Sequence, residues 1–218
     1  MNTVYLIGGR PRTGKSTVMQ AFIKQRPMPA YSFDAVRNGL RNALFEEVHV
    51  DVKKLDFSGD VVFKVPGKAG DKHKHFEHKL KKEEELTWDA LLGIIEHYSR
   101  HFDRSDLVIE GSGITPERVH NLSFDSLAIR AVFTGFLDSN HADTIIEHAR
   151  TNKDWVHTWL QETGNNEDDV RQWLHGEHKA SQEDKKMAAK FGYGYFDVST
   201  GPFEQHVQAV TQYLLQKA

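Results

Sequence analysis

The sequence has 218 residues, 39% of them hydrophobic and 27% charged, a composition that excludes collagen-like and wholly disordered chains. Its formal net charge of −3 does not indicate bulk binding to nucleic acid or to an anionic membrane. Cysteine is absent, and neither a membrane-spanning apolar run nor a secretory signal is found, so we expect a cytoplasmic protein without disulfides or a membrane partner.

The first predicted unit consists of a strand, a glycine-rich turn and a helix. Val4 to Ile7 are consecutive apolar residues, as is typical of a strand buried on both faces of a parallel sheet. Glycines end this run. From Lys15 onwards the apolar residues recur at helical spacing, until Pro27 ends the pattern.

The remaining elements continue this alternation of strands and helices. We predict a strand over 30–33, a helix from Asp34, a helix over 86–102, a strand over 107–109, a helix from Thr115-Pro116, a strand within 127–137, a helix through Ala149, a strand over 195–198 and a helix after Gly201-Pro202. The alternation predicts an α/β three-layer sandwich, in which helices cover both faces of a central parallel sheet of about five strands. We assign residues 1–218 to a single domain, with an acceptor-site insertion at about 48–82 and a helical lid at about 150–191.

The turn of the first unit carries the most specific motif in the sequence. Gly9-Arg10-Pro11-Arg12-Thr13-Gly14-Lys15-Ser16 matches G-x-x-x-x-G-K-[ST], in which glycines let successive backbone N–H groups point at phosphate oxygens. The helix that follows adds the positive end of its dipole. We predict that this loop and Thr17 bind ATP, that Lys15 reaches the β- and γ-phosphates, and that Ser16 is a ligand of Mg²⁺.

A second candidate group follows the second predicted strand. In an open parallel sheet the strands end beside the ligand, so Asp34 is expected to face the bound phosphates. Its carboxylate would orient or deprotonate an acceptor hydroxyl, and Arg37, one helical turn later, would bind an anionic group of the acceptor. The alternative is that Asp34 caps a helix and Arg37 lies on the surface.

A third candidate group ends the strand over 107–109. Glu110 is an acidic residue at the end of an apolar strand, where phosphate-loop proteins place a carboxylate near Mg²⁺ or its water. Gly111 indicates a close backbone approach, and we include it with Glu110 and Arg118 among the acceptor-binding candidates. Glu110 could instead be an ordinary charge at the end of a strand.

The lid supplies a fourth candidate. Residues 150–191 are polar and helical in pattern, and such a flap could close over ATP and bring a cation to the transferring phosphoryl group. Arg150 is the predicted catalytic cation because it lies nearest the sheet in sequence. The alternative is a solvated helical face.

These residues together resemble P-loop kinases of the nucleoside-monophosphate-kinase type. The phosphate loop, the pair Asp34-x-x-Arg37, the basic flap and the turn Ser199-Thr200-Gly201-Pro202 occur in that family's order. In such kinases the turn after the last core strand often contacts adenine, so the resemblance implies this role for Thr200 and Gly201. Ile7-Gly8-Gly9, Glu110-Gly111 and Ile114-x-Pro116 look locally like 2-phosphoglycerate-kinase-type sequences.

We therefore expect an ATP-dependent kinase that transfers the γ-phosphoryl group to a small, anionic metabolite or nucleotide. One alternative is a polynucleotide or RNA-end kinase that binds phosphates through the run Lys72–Lys82. A nucleotide-binding switch or regulatory ATPase that transfers nothing is a second, and a kinase-like toxin acting on a cell-wall sugar nucleotide is a third. The oligomeric state stays open.

Overall fold

The fold was obtained as a computed structural model, which describes residues 2–46, 69–101, 105–124, 126–152 and 167–216. The strands are β1 (Asn2–Gly9), β2 (Ala30–Ser32), β3 (Leu107–Gly111), β4 (Leu127–Gly135) and β5 (Gly194–Asp197). The helices are α1 (Lys15–Gln25), α2 (Phe33–Glu46), α3 (Ala69–His101), α4 (Pro116–His120), α5 (His141–Asn152), α6 (Glu167–Phe191) and α7 (Phe203–Gln216).

The strands of the described residues form one five-stranded parallel sheet in the order β2-β3-β1-β4-β5. Its register pairs Ile7 of β1 with Glu110 of β3, and Gly9 of β1 with Thr134 of β4. The carboxyl ends of β1, β3 and β4 therefore lie side by side at one edge of the sheet. The predicted α/β class and parallel sheet of about five strands are confirmed.

The core explains why β1 is apolar at consecutive positions. Tyr5 and Ile7 pack on one face of the sheet against α1 and α7, through residues that include Val18 and Phe22. Val4 and Leu6 pack on the other face, in a cluster that contains residues of α3. Successive strand residues point to opposite faces, and helices cover both, so each position is buried.

The structure defines the start of one predicted helix and describes part of two other predicted segments. The helix predicted over 86–102 begins much earlier, at Ala69, so the polar, lysine-rich stretch before residue 86 continues the same helix. Residues 48–68 of the predicted acceptor-site insertion lie outside the described residues. Within the lid range the structure describes the end of α5 and all of α6, while 153–166 also lie outside the described residues.

No helix in the described part of the chain has both the length and the apolarity needed to cross a membrane.

Candidate functional site

The glycine-rich loop connects the end of β1 to the start of α1 at the carboxyl edge of the sheet. Gly14, the N-cap of α1, is left-handed, with φ 77° and ψ 17°. Gly9 has φ 131°, and a Cβ there would lie 1.9 Å from the carbonyl oxygen of Thr134. Both positions thus need glycine, one for backbone conformation and the other also for the close approach of β4.

Side-chain hydroxyl groups hold the loop in place. Thr13 Oγ1 donates to the carbonyl oxygen of Arg10 at 2.7 Å and lies 2.7 Å from Thr134 Oγ1. The backbone N–H of Arg10 donates to the carbonyl oxygen of Thr134 at 3.1 Å. The loop is therefore anchored to β4 by both backbone and side chain, and Thr134 is a supporting residue that the sequence analysis did not identify.

Lys15 lies inside this loop and is 6% exposed. Its Nζ donates to the carbonyl oxygen of Arg10 at 2.7 Å. Burial lowers the pKa of Lys15 to about 8, while the nearby carboxylates of Glu110 and Asp34 act in the opposite direction. The structure therefore brings Lys15, Asp34 and Glu110, three of the predicted site residues, within electrostatic range of one another.

Asp34 and Arg37 lie on the first turns of α2 and contact each other. Arg37 Nη2 is 2.8 Å from Asp34 Oδ1 as an ion pair between positions i and i+3. This contact does not count as a hydrogen bond, since Asp34 Oδ1 has no hydrogen-bond partner, and Arg37 Nε is likewise a buried atom without one. Each of these groups thus has hydrogen-bonding capacity left for another molecule.

Glu110 ends β3 beside the loop and is 3% exposed. Its position follows from the parallel register that pairs it with Ile7, immediately before the loop glycines. Gly111 follows, and a Cβ there would lie 2.1 Å from the Cβ of Phe33, the first residue of α2. This contact fixes the distance between the end of β3 and the turn that carries Asp34.

Arg118 lies on α4 and is held by three groups. Its Nη1 donates to the carbonyl oxygen of Gly113 at 2.7 Å, and its Nη2 is 3.8 Å from Glu84 Oε2. The guanidinium carbon lies 5.5 Å from the ring centre of Trp88, at a distance typical of a cation–π contact. Arg118 is therefore preorganised at the amino end of α4.

Arg150 occupies a different environment from the loop. Its guanidinium is half-exposed and forms ion pairs with Glu147 and Glu167. Neither of these two partners belongs to the loop. In this conformation Arg150 joins α5 to α6 and is not brought to the phosphate loop.

The turn after β5 reaches the loop through the start of α7. Thr200 Oγ1 donates to the carbonyl oxygen of Asp197 at 3.2 Å, and Gly201 is left-handed, with φ 78°. Phe203 follows and is 42% exposed. Its ring lies against the loop, since a Cβ on Gly14 would be 2.5 Å from Phe203 Cε2. The predicted adenine-contacting turn and the predicted phosphate loop are therefore neighbours.

Solved structures of similar fold cover almost the whole chain. A shikimate kinase from Bacteroides thetaiotaomicron is 18% identical, with a TM-score of 0.51, over 99% of this chain and 97% of that chain. A shikimate kinase from Acinetobacter baumannii in complex with shikimate is 12% identical, with a TM-score of 0.54, over 100% and 95% of the two chains. TT1252 from Thermus thermophilus is 13% identical, with a TM-score of 0.51, over 99% and 97%. The chain is therefore similar in overall fold to these solved structures, two of which are shikimate kinases. No protein-family model and no curated protein matches the sequence.

Two acidic residues near the glycine-rich loop were not predicted. Asp184 and Glu177 lie on α6, and both face Arg10. The sequence contains no signal for these contacts. Arg10 is far from both carboxylates in the chain, and the polar helix that carries them has many other charges. Only the packing of α6 beside the loop distinguishes these two carboxylates from their exposed neighbours.

Proposed function

We propose that the protein is an ATP-dependent kinase that phosphorylates a small molecule. The observation that carries this proposal is the loop of residues 9–16, which places a left-handed Gly14 and a buried Lys15 at the amino end of α1. Backbone N–H groups at a helix start bind phosphate oxygens, and a buried lysine adds the charge that a triphosphate needs. The kinase fold supports the proposal without identifying the acceptor.

Ser16 and Glu110 are the proposed ligands of Mg²⁺ or of its bound water. Ser16 is exposed on the first turn of α1, and Glu110 is a buried carboxylate that acts electrostatically on Lys15. Oxygen donors of this kind suit Mg²⁺. Bound with the nucleotide, Mg²⁺ would neutralise charge on the β- and γ-phosphates. Thr200 and Gly201 are the proposed contacts of adenine.

Asp34 is the proposed acceptor of the hydroxyl proton. In the transfer, an acceptor oxygen forms a bond to the γ-phosphorus as the bond from that phosphorus to the bridging oxygen breaks. ADP leaves with the electron pair of the broken bond, and the hydroxyl proton passes to Asp34. The free hydrogen-bonding capacity of Asp34 Oδ1 is consistent with this role.

Arg37 and Arg118 are the proposed contacts of an anionic group on the acceptor. Both guanidinium groups are anchored by this chain's own residues, Arg37 by Asp34 and Arg118 by Gly113 and Glu84. An anchored guanidinium loses less entropy when it binds a carboxylate or phosphate. The local likeness to 2-phosphoglycerate-kinase-type sequences gives one specific acceptor to test. Arg150 remains the proposed cation of the flap, and the cytoplasm the proposed location.

The test of nucleotide binding is calorimetry with Mg·ATP. We expect binding by the natural chain and its loss in Lys15→Met. Lys24→Met is the matched control, because Lys24 lies exposed on the same helix. Failure of the natural chain to bind Mg·ATP would reject the proposal.

The test of transfer is a panel of phosphorylated and carboxylated metabolites, assayed for acceleration of ATP consumption. An acceptor that accelerates it should lose kcat in Asp34→Asn much more than affinity for ATP, with Asp89→Asn, an exposed carboxylate of α3, as control. ATP binding without any acceptor would favour the regulatory ATPase. Steeply salt-dependent binding of RNA or DNA ends would favour the polynucleotide kinase.

A further inference from the structure

Arg10, the second residue of the phosphate loop, extends its side chain away from the loop to α6. Its Nε donates to Asp184 Oδ2 and its Nη2 to Asp184 Oδ1, both at 2.7 Å. Asp184 is only 5% exposed. A bidentate pair of this kind fixes the plane and direction of the guanidinium group. Since the backbone of Arg10 is also anchored to Thr134, both ends of the residue are immobilised.

This bidentate pair leaves the third nitrogen of the guanidinium group, Nη1, without a hydrogen bond. Nη1 lies 3.8 Å from Glu177 Oε2, beyond hydrogen-bond distance. Glu177 Oε2 itself is buried and has no hydrogen-bond partner. Nη1 therefore lies near an acceptor oxygen to which it is not hydrogen-bonded.

Lys15 lies near the same carboxylate. Arg10 and Lys15 both lower the pKa of Glu177, and Arg10 lowers the pKa of Lys15. The ammonium group of Lys15 is bonded to the carbonyl oxygen of Arg10, so the two cations start from neighbouring points of one loop. Two cations converging beside backbone N–H groups match the terminal phosphoryl group of a nucleotide, whose charge is spread over three oxygens.

The arginines of the flap are committed elsewhere in this conformation. Arg150 pairs with Glu147 and Glu167, and Arg171 pairs with Asp143 and Glu167. Both side chains are more exposed than that of Arg10, which is 23% exposed. Arg10 is thus the arginine that the described structure already holds beside Lys15 at low exposure.

We propose that Arg10 Nη1 contacts the γ-phosphoryl group of the bound nucleotide and that Asp184 is the positioning residue that holds Arg10 for this contact. The inference rests on the proposed function, because it takes the loop to bind a nucleoside triphosphate. It adds a cation from the loop itself to the expected contribution of Lys15, and it gives α6 a direct connection to the bound nucleotide.

The test compares two nucleotides by calorimetry on the full chain, Mg·ADP and Mg·AMP-PNP, which carries a γ-phosphoryl group that is not transferred. The ratio of the two affinities isolates contacts to the γ-phosphoryl group and needs no acceptor. We expect Arg10→Gln to reduce the preference for AMP-PNP about tenfold, the value of one charge-assisted hydrogen bond. Asp184→Asn should reduce it in the same direction, since the guanidinium group loses its bidentate partner.

Removal of Arg10 alone leaves a buried carboxylate without its partner, which can unfold the chain. The double variant Arg10→Gln with Asp184→Asn removes both charges together, so we expect it to keep the fold and to show the same loss of preference as Arg10→Gln. Arg171→Gln is the matched control, an arginine at α6 with other partners, and it should keep the natural ratio. A purely structural role for Asp184 would lower the melting temperature of Asp184→Asn and leave the ratio unchanged.

An unchanged ratio in the folded double variant would overturn this inference while the proposed function stood. Absence of binding of either nucleotide by the natural chain would instead reject the proposed function, and the inference with it. As an independent readout, guanidinium ion added to folded Arg10→Ala should restore part of the preference for AMP-PNP, and no restoration would count against the contact.

Discussion

Lys15 carries its charge inside the protein, where its ammonium group donates a hydrogen bond to the carbonyl oxygen of Arg10. Burial lowers the pKa of this group to about 8 from an ordinary value of 10.5. An ammonium group that has lost most of its water is only partly compensated by one carbonyl oxygen and by carboxylates at a distance. We therefore expect Lys15 to reduce the stability of the ligand-free protein.

The first prediction concerns the stability of Lys15→Met. We expect this variant to raise the free energy of unfolding of the nucleotide-free protein by about 1–3 kcal/mol at pH 7, because it removes a desolvated charge. The difference should shrink as pH rises from 8 to 10.5. In that interval the unfolded lysine still holds its proton while the folded one has lost it, so the natural protein gains stability. Urea unfolding at pH 7 and pH 10 measures both effects, and a less stable variant at pH 7 would contradict the argument.

Glu177 is a partly buried charge at the same site. Burial is the largest effect and raises its pKa, and the charge of Asp184 acts in the same direction. Arg10, Lys15 and a hydrogen bond from Trp173 lower the pKa but do not cancel the effect of burial. Ionisation of the Glu177 carboxyl group therefore costs more free energy in the folded protein than in the unfolded chain.

The second prediction follows for Glu177→Gln. We expect the variant to be more stable than the natural protein near pH 7 by about 1 kcal/mol, because the buried charge is removed while the shape is kept. The advantage should decrease as pH falls toward 4.5, the ordinary value for this carboxyl group, since the folded natural protein binds a proton there before the unfolded chain does. Thermal melting of both proteins from pH 5 to pH 8 gives the comparison, with Glu183→Gln, on the exposed side of α6, as control. A constant difference across this range would show that ionisation of Glu177 is not its cause.

At the scale of elements, the join between β3 and α2, which is the packing of Phe33 against the end of β3, depends on glycines at which a side chain would not fit. Cβ atoms on Gly111 and on Gly113 would lie 2.1 Å from the Cβ and the ring of Phe33, respectively. Phe33 is fully buried at the first position of α2. The position of Asp34 beside the loop is thus set by packing of its neighbour against the end of β3.

The third prediction tests this join with Gly113→Ala. The added methyl group must displace the ring of Phe33, so we expect a loss of about 2–3 kcal/mol in the free energy of unfolding. Phe33→Leu should restore part of that loss when combined with Gly113→Ala, because the smaller side chain leaves room for the methyl group. Chemical denaturation of the four proteins in this cycle measures the coupling.

Gly176→Ala is the matched control for this prediction. Gly176 lies within α6, and a Cβ there would meet nothing within 4 Å. Alanine at a helix interior should therefore stabilise the protein, by about 0.5–1 kcal/mol. Equal and small effects of alanine at 113 and 176 would remove the steric argument for the join.

Most of the strands and helices were predicted from the sequence, whereas their ends were not. The core strands were predicted because both of their faces are buried and the apolar runs are continuous, as in Val4 to Ile7. The start of α3 at Ala69 was missed, because a helix whose first turns are polar and lysine-rich lacks the apolar stripe that sequence patterns detect. Residues 153–166, within the predicted lid, lie outside the described residues.

At the scale of the whole molecule, the proposed nucleotide site brings the loop together with three distant parts of the chain. The loop of 9–16 contacts Thr134 of β4, Asp184 of α6 and Phe203 of α7. A ligand bound to this loop is consequently linked to elements on both sides of the sheet. Binding should stabilise the fold as a unit because the site does not exist in the unfolded chain.

The fourth prediction is a thermal shift that depends on nucleotide. At a free Mg·AMP-PNP concentration about 100 times its dissociation constant, the free energy of unfolding should rise by about 2.7 kcal/mol. The midpoint of thermal unfolding should rise with it. Lys15→Met should show no shift with nucleotide although it is the more stable protein without it, and Lys24→Met should shift as the natural chain does. A shift that survives in Lys15→Met would place the nucleotide elsewhere.

The sequence by itself determined the α/β architecture and the nature of the loop. Both rest on local patterns: continuous apolar strands, helical spacing, and glycines beside a lysine at fixed intervals. The tertiary structure decided which charges meet. Arg10 and Asp184 are 174 residues apart, and their contact arises only because the parallel sheet aligns the ends of its strands and α6 packs beside the loop. The sequence of a polar helix does not indicate which of its charged residues will be buried. The cation held beside Lys15 could therefore be identified only from the folded structure.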